Sequence, residues 1–261
     1  MIKAVIFDLD GTAIPNKPDG MPSDHLVEVV KKWQQTAKVC AATGRPLYNA
    51  KAIIQSLGLT DPCIISGGTQ IIDPVTEKIL WEKEMDQFQT EQVLEITRPY
   101  NANIYLTDEN TSALARDITS KGRERIIYIE DINQEEVEEI MEKLSKIEDI
   151  LAHKVMAWTK GNFEIHVTHA QATKKHALEV LLDMFKVNKD EVIAAGDGGN
   201  DLPLFELAGY KIAMENGMDE LKEKADMVAG RADEDGLAIA LESLLPSGQR
   251  LEQPLSLQKK F

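Results

Sequence analysis

Apolar positions along this chain alternate between short continuous runs and a helical period. Residues 4–7 (AVIF) are wholly apolar and sit within a predicted strand over residues 3–9 that is buried on both faces. Leu26, Val29, Val30 and Trp33 then recur at helical spacing behind Ser23, a good capping residue. Residues 38–42 form a second predicted strand. A helix starting near Pro46 carries Ala50, Ile53, Ile54 and Leu57 on one face and stops at Gly58, and residues 63–65 form a third strand. This order of strand, helix, strand, helix, strand predicts a doubly wound parallel sheet.

The same rhythm returns after Thr173. Helices are predicted over 174–185, 202–208 and 235–245, with Leu221 and Ala225 marking another, and strands over 192–195, 211–213 and 227–229. Between these halves the texture changes. Strand candidates at 103–107, 125–130 and 163–167 are separated by strongly acidic helices, notably NQEEVEEIMEKLSKIED at 133–149, which predicts an α+β insertion with one open sheet face. Residues 1–79 and 168–261 are therefore expected to form an α/β core, and 80–167 an inserted domain. The stretch after Pro246 has weak periodicity and is expected to be a surface extension.

Charge narrows the partners. Twenty-nine basic residues against 44 acidic ones give a formal charge of -15, which repels nucleic acid and anionic membranes, and no basic cluster exceeds a lysine pair. No segment approaches the ~20 apolar residues of a membrane span, and no signal peptide is evident. Cys40 and Cys63 lie in strand-like stretches without metal-ligand spacing, so reduced thiols and a cytoplasmic location are expected, the chain acting as a monomer or weak homo-oligomer.

Candidate chemistry collects at predicted strand ends. Asp8 and Asp10 lie at the carboxyl end of the first strand, where open α/β sheets bind ligands, and two residues apart they face one side. Such a pair can share a divalent cation or divide into nucleophile and proton donor, whereas an acidic turn with solvated side chains is the plainer alternative. At the second strand's end, Thr43 and Gly44 open a helix and suit an anion. Lys174 or Lys175 at another helix start offers an ammonium. Asp197, Asn200 and Asp201 occupy a glycine-rich loop after a further strand, and oxygen ligands without thiolate or imidazole select a hard cation such as Mg²⁺. GDGGND lacks a P-loop lysine, and Gly199 stands where a calcium loop needs its second oxygen. His166 and His169, three apart on a strand, face opposite sides and make a poor metal pair.

DLDGT at 8–12, ATGR at 42–45, Lys174 and GDGGNDLPLF at 196–205 together resemble the four ordered motifs of the haloacid dehalogenase superfamily. KIAMENGMDELKEKADMV and DEDGLAIAL further downstream are similar to its Cof-type sugar phosphatases. The resemblance implies a Rossmann-like core with an α+β cap, an aspartyl-phosphate mechanism and a small phosphorylated metabolite as substrate. It makes Asp8 the nucleophile and Asp10 the acid and base, with Thr43, Gly44, Lys174 and Asn200 on the phosphate. Mg²⁺ would be held by the Asp8 carboxylate, the Asp10 carbonyl and Asp197, supported by Asp201. Arg45, beside the phosphate motif, is a candidate substrate contact. Three positions depart from the family pattern: Lys175 follows Lys174 where glycine is usual, Gly67-Gly68 replaces Asn-Gly, and Glu215 takes a position commonly glycine. A phosphosugar mutase and a non-catalytic cation- or phosphate-binding module are the alternatives, and the presence of both strand-end acids speaks against mere binding.

Overall fold

A computed structural model describes residues 1–17, 19–107, 112–116, 120, 122–156 and 161–246. The extension expected after Pro246 lies outside the described residues from 247 onward. Contacts divide the chain into two compact units, Met1–Leu80 with Ala177–Phe261, and Trp81–His176.

The first unit begins with β1 (Ala4–Phe7), whose residues are all fully buried, as an apolar run in a parallel sheet requires. Helix α1 (Asp24–Trp33) is capped by the Ser23 hydroxyl, which accepts from the Leu26 N–H at 3.1 Å, and it buries Leu26, Val29, Val30 and Trp33. β2 (Lys38–Ala41) pairs parallel to β1. α2 (Leu47–Ser56) ends at Gly58, whose φ of 65° is the left-handed turn that glycine adopts at least cost.

β3 (Cys63–Ile65) departs from the simple parallel expectation. It meets β2 through one parallel bridge, Ala42 to Ile64, and then turns back antiparallel against β4 (Gln70–Ile72). With β5 (Ile79–Glu82) these form a separate three-stranded sheet, and β5 carries the chain into the second unit. The turn between β3 and β4 needs Ser66, Gly67 and Gly68 all at positive φ, so the glycine pair serves the reversal.

The second unit contains α3 (Gln87–Thr97), β6 (Asn103–Thr107), β7 (Ser112–Leu114), β8 (Ile126–Ile132), α4 (Gln134–Leu144), β9 (Ile150–Met156) and β10 (Phe163–His169). Its sheet is antiparallel in the order β7-β6-β8-β10-β9. Leu106, Ile127, Ile129, Ile165 and Val167 alternate inward and join Val93 of α3 and Val137, Ile140 and Leu144 of α4 in one core. Asn133 caps α4 in a reciprocal box with Glu136, which holds the acidic segment helical. β10 continues to His169 because its ladder with β9 runs on to Ile150, past the boundary expected after Val167.

α5 (Lys174–Phe185) returns the chain to the first unit. β11 (Val192–Gly196), α6 (Leu202–Glu206), β12 (Tyr210–Met214), α7 (Asp219–Lys224), β13 (Met227–Ala229) and α8 (Gly236–Ser243) follow. The central sheet is parallel, in the order β13-β12-β11-β1-β2, with β11 beside β1. The first unit is thus an α/β core of the doubly wound kind. Trp33 of α1 donates from its ring nitrogen to the Leu241 carbonyl of α8 at 3.0 Å, joining two helices distant in sequence. Among the described residues no helix is long and apolar enough to cross a membrane.

Candidate active site

Neighbouring parallel strands bring their carboxyl ends to one edge, and here the neighbours are β1 and β11. Asp8 follows β1 directly, its N–H donates to the Ala195 carbonyl of β11 at 3.0 Å, and the residue is 5% exposed. The chain then turns sharply. The Leu9 carbonyl accepts from the N–H groups of Thr12, Ala13 and Ile14, and Gly11 adopts φ 75°.

Gly11 is required for space as well as for its dihedral. A Cβ there would lie 2.2 Å from Oδ2 of Asp197, so the Asp197 carboxylate rests directly on the glycine backbone. The buried Thr12 hydroxyl donates to Oδ1 of Asp197 at 3.1 Å, which holds that carboxylate from the β1 side. Behind it, the Met218 N–H donates to the Asp197 carbonyl at 2.9 Å.

Asp201, fully buried, organises the glycine-rich loop. Its Oδ2 accepts from the N–H groups of Asp197 at 3.1 Å and Gly198 at 3.0 Å. A Cβ on Gly196 would come within 2.4 Å of the Asp201 Cβ, so this glycine makes room for the buried acid. Asp8, Asp197 and Asp201 each present an oxygen within 4.8 Å of the others. At that separation two ionised carboxylates repel by about 3 kcal/mol for an effective dielectric constant near 20. A divalent cation relieves that repulsion, and three oxygen donors without nitrogen or sulfur suit a hard one, so the residues present fit the metal the family resemblance implies.

The Asp10 carboxylate lies outside that group of three. Arg45 takes it in a two-pronged contact, Nε to Oδ2 at 2.7 Å and Nη2 to Oδ1 at 2.5 Å. The two side chains are 21% and 30% exposed. These hydrogen bonds hold the guanidinium in its charged form more firmly, against the opposing effect of burial. Arg45, expected at the substrate, is thus bound to the second aspartate. The Arg45 backbone N–H donates to the Thr43 hydroxyl oxygen at 3.0 Å, leaving that buried hydroxyl's own proton to donate elsewhere. Gly44 is exposed, and a Cβ there would meet nothing within 4 Å.

Asn200 is exposed, with Oδ1 2.5 Å from where a Gly198 Cβ would lie. Lys174 begins α5 and is 3% exposed, whereas Lys175 is half-buried. His166 and His169 both lie on β10, where His166 packs edge-on against Tyr128 at 4.7 Å and His169 accepts from the Gln171 N–H. Sequence reasoning assigned no role to Thr12, although it stands inside DLDGT, and none to Asn216, inside AMENG.

A parallel α/β core that brings acids from adjacent strand ends to one sheet edge suits a cation and a phosphorylated ligand there. The family model for haloacid dehalogenase-like hydrolases matches residues 5–241. A protein of Haemophilus influenzae named a putative phosphatase is 40% identical over 272 residues, covering 94% of this chain and 99% of its own. A Bacillus subtilis protein named 5-amino-6-(5-phospho-D-ribitylamino)uracil phosphatase YwtE is 27% identical over 288 residues, covering 95% and 99%. Among solved structures, a haloacid dehalogenase-like hydrolase from Bacteroides thetaiotaomicron aligns with a TM-score of 0.77 at 22% identity, covering 94% of this chain and 100% of that one. The chain belongs to the haloacid dehalogenase-like hydrolases, and its enzyme class is phosphomonoester hydrolysis.

Proposed function

We propose that the protein is a Mg²⁺-dependent phosphatase of a small phosphorylated metabolite, working through an aspartyl-phosphate on Asp8. The observation that carries this reading is the grouping of Asp8 with Asp197 and Asp201, while Asp10, two residues on, lies outside that group and is paired with Arg45. Two strand-end acids in different surroundings are suited to different tasks.

An Asp8 carboxylate oxygen attacks phosphorus, and the bond from phosphorus to the leaving oxygen breaks. Asp10 in its protonated form gives that oxygen its proton, the Arg45 fork favouring the ionised form that serves as base in the second step. Asp10 then takes a proton from the water that attacks the aspartyl-phosphate, releasing inorganic phosphate and restoring Asp8. Thr43, Gly44, Asn200 and Lys174 hold the phosphoryl oxygens, Lys174 being preferred to Lys175 because it is the buried member of the pair. Asp8, Asp197 and the Asp10 carbonyl, with Asp201 in support, would hold Mg²⁺, which would supply positive charge to offset that of the transferring group. Local charge of this kind offsets a net charge of -15 that would otherwise repel the substrate.

The second unit is read as the family's cap, which selects the organic part of the substrate. A sugar or polyol phosphate is the class proposed, and the compound in the Bacillus subtilis relative's name is a ribityl phosphate of that kind. We place the enzyme in the cytoplasm. The test is hydrolysis of p-nitrophenyl phosphate with Mg²⁺ by wild type and Asp8→Asn. Loss of turnover at unchanged melting temperature is expected, and wild-type turnover in the variant would overturn the mechanism.

A further inference from the structure

We infer that Asn216 is a positioning residue for the cation site, one that sets the Asp197 carboxylate by pinning the peptide between Gly11 and Thr12. Its side chain joins two loops. Nδ2 donates to the Gly11 carbonyl at 2.8 Å, and Oδ1 accepts from the Ala232 N–H at 3.0 Å. The orientation of the carboxamide follows from chemistry, since the Ala232 N–H only donates and must face the oxygen, which turns the NH₂ group toward Gly11.

The Gly11 carbonyl and the Thr12 nitrogen belong to one planar unit. Pinning that carbonyl therefore sets the direction from which the Thr12 side chain starts. Thr12 is 1% exposed and spends its hydroxyl proton on Oδ1 of Asp197. The path from Asn216 to the carboxylate is thus one hydrogen bond, one peptide plane and a second hydrogen bond.

The same segment grips Asp197 from behind. The Met218 N–H holds the Asp197 carbonyl, and a Cβ on Gly217 would fall 2.8 Å from that oxygen and 2.9 Å from the Asp197 Cα, so the backbones touch. Residues 216–218 therefore hold Asp197 twice, directly through its backbone and indirectly through Thr12. Asparagine suits the task because it offers a donor and an acceptor on one short, planar group. Alanine offers neither, and aspartate has no donor for Gly11.

Asn216 is itself exposed. Its hydrogen bonds compete with water and contribute little to global stability, whereas the placement of a ligand carboxylate responds to small shifts. The two effects can be measured separately.

The inference rests on the reading that Asp8 and Asp197 hold Mg²⁺. Its test is calorimetric titration of the metal-free, full-length protein with Mg²⁺, for wild type, Asn216→Ala, Thr12→Val, Thr12→Ser and the double variant Asn216→Ala/Thr12→Val. Asn216→Ala and Thr12→Val are each expected to weaken Mg²⁺ binding about tenfold, the lower end of what loss of a residue behind a metal ligand costs. Because both act on one path, the double variant should also lose about tenfold, where independent effects would multiply to about 100-fold. Thr12→Ser, which keeps the hydroxyl, should bind within about twofold of wild type. The metal-free melting temperature of Asn216→Ala should match that of wild type.

Wild-type Mg²⁺ affinity in Asn216→Ala, a lowered melting temperature without loss of affinity, or multiplicative losses in the double variant would each overturn the inference. A wild-type protein that bound no Mg²⁺ would overturn it together with the cation reading. Turnover is not part of the titration, so Asn216-dependent Mg²⁺ binding without hydrolysis of any phosphomonoester would support the inference and refute the phosphatase mechanism.

Discussion

Replacing Gly11 by alanine separates the cost of folding from the cost to the site. At φ 75° the glycine occupies the left-handed region, where a residue with a Cβ loses roughly 1–2 kcal/mol. The added Cβ would also lie 2.2 Å from Oδ2 and 2.8 Å from Cγ of Asp197. Ordinary contact begins at 3.4 Å, so the carboxylate oxygen must move by more than about 1 Å. It cannot retreat as a unit, because its carbonyl is held by Met218 and its backbone rests on Gly217. It has to rotate and surrender the hydrogen bond from Thr12. With that bond included the expected destabilisation is about 2–3 kcal/mol, or a fall in melting temperature of roughly 4–12 °C. Displacing a reaction-site group by 1 Å costs on the order of 100-fold in rate. The assay is Mg²⁺-dependent kcat on p-nitrophenyl phosphate at a temperature where the variant remains folded. If kcat stayed within about threefold of wild type while the melting temperature fell as expected, Asp197 would not occupy this position in the working enzyme and its assignment would fail.

Arg45→Gln removes the fork from Asp10, a charge-assisted pair discounted for partial exposure to about 1–2 kcal/mol, so kcat should fall about 5–30-fold with KM little changed. A rise in KM alone would show that Arg45 acts on substrate binding and not through Asp10. Saturating Mg²⁺ should raise the melting temperature of the metal-free protein, by roughly 5–11 °C at 100 times the dissociation constant, and an unchanged melting temperature would refute cation binding by the folded state. Burial pushes the Cys63 thiol up to about 12 and raises Cys40 as well, leaving on the order of one Cys63 in 10,000 as thiolate at pH 8. Iodoacetamide should therefore leave both thiols intact in the folded protein and label both in guanidinium, and rapid labelling without unfolding would show that the strands open.

What could be read from sequence follows the range over which each interaction acts. β1 was legible because a strand covered on both faces must be apolar throughout, so acids at Asp8 and Asp10 mark its end. α1 was legible because its cap, Ser23, lies within a turn of the helix it starts, whereas α4 stops at Leu144, short of the 149 expected from its acidic stretch. β3 reads as apolar whether its neighbour runs parallel or antiparallel, and only the left-handed turn at Ser66–Gly68 decides for the hairpin. The site divides along the same line. The sequence places Asp8, Asp10, Thr43, the pair Lys174 and Lys175, and Asp197 each at the edge of a local pattern. Which oxygens are already engaged depends on partners 35 residues away for Arg45 and Asp10, 185 for Thr12 and Asp197, and 205 for Asn216 and Gly11. Local periodicity carries no information over those distances, so Arg45 reads from sequence as a cation waiting for substrate and in the fold as a partner of Asp10. A change at Arg45 or Asn216 is therefore expected to alter how well the aspartates work, with the strands that deliver them intact.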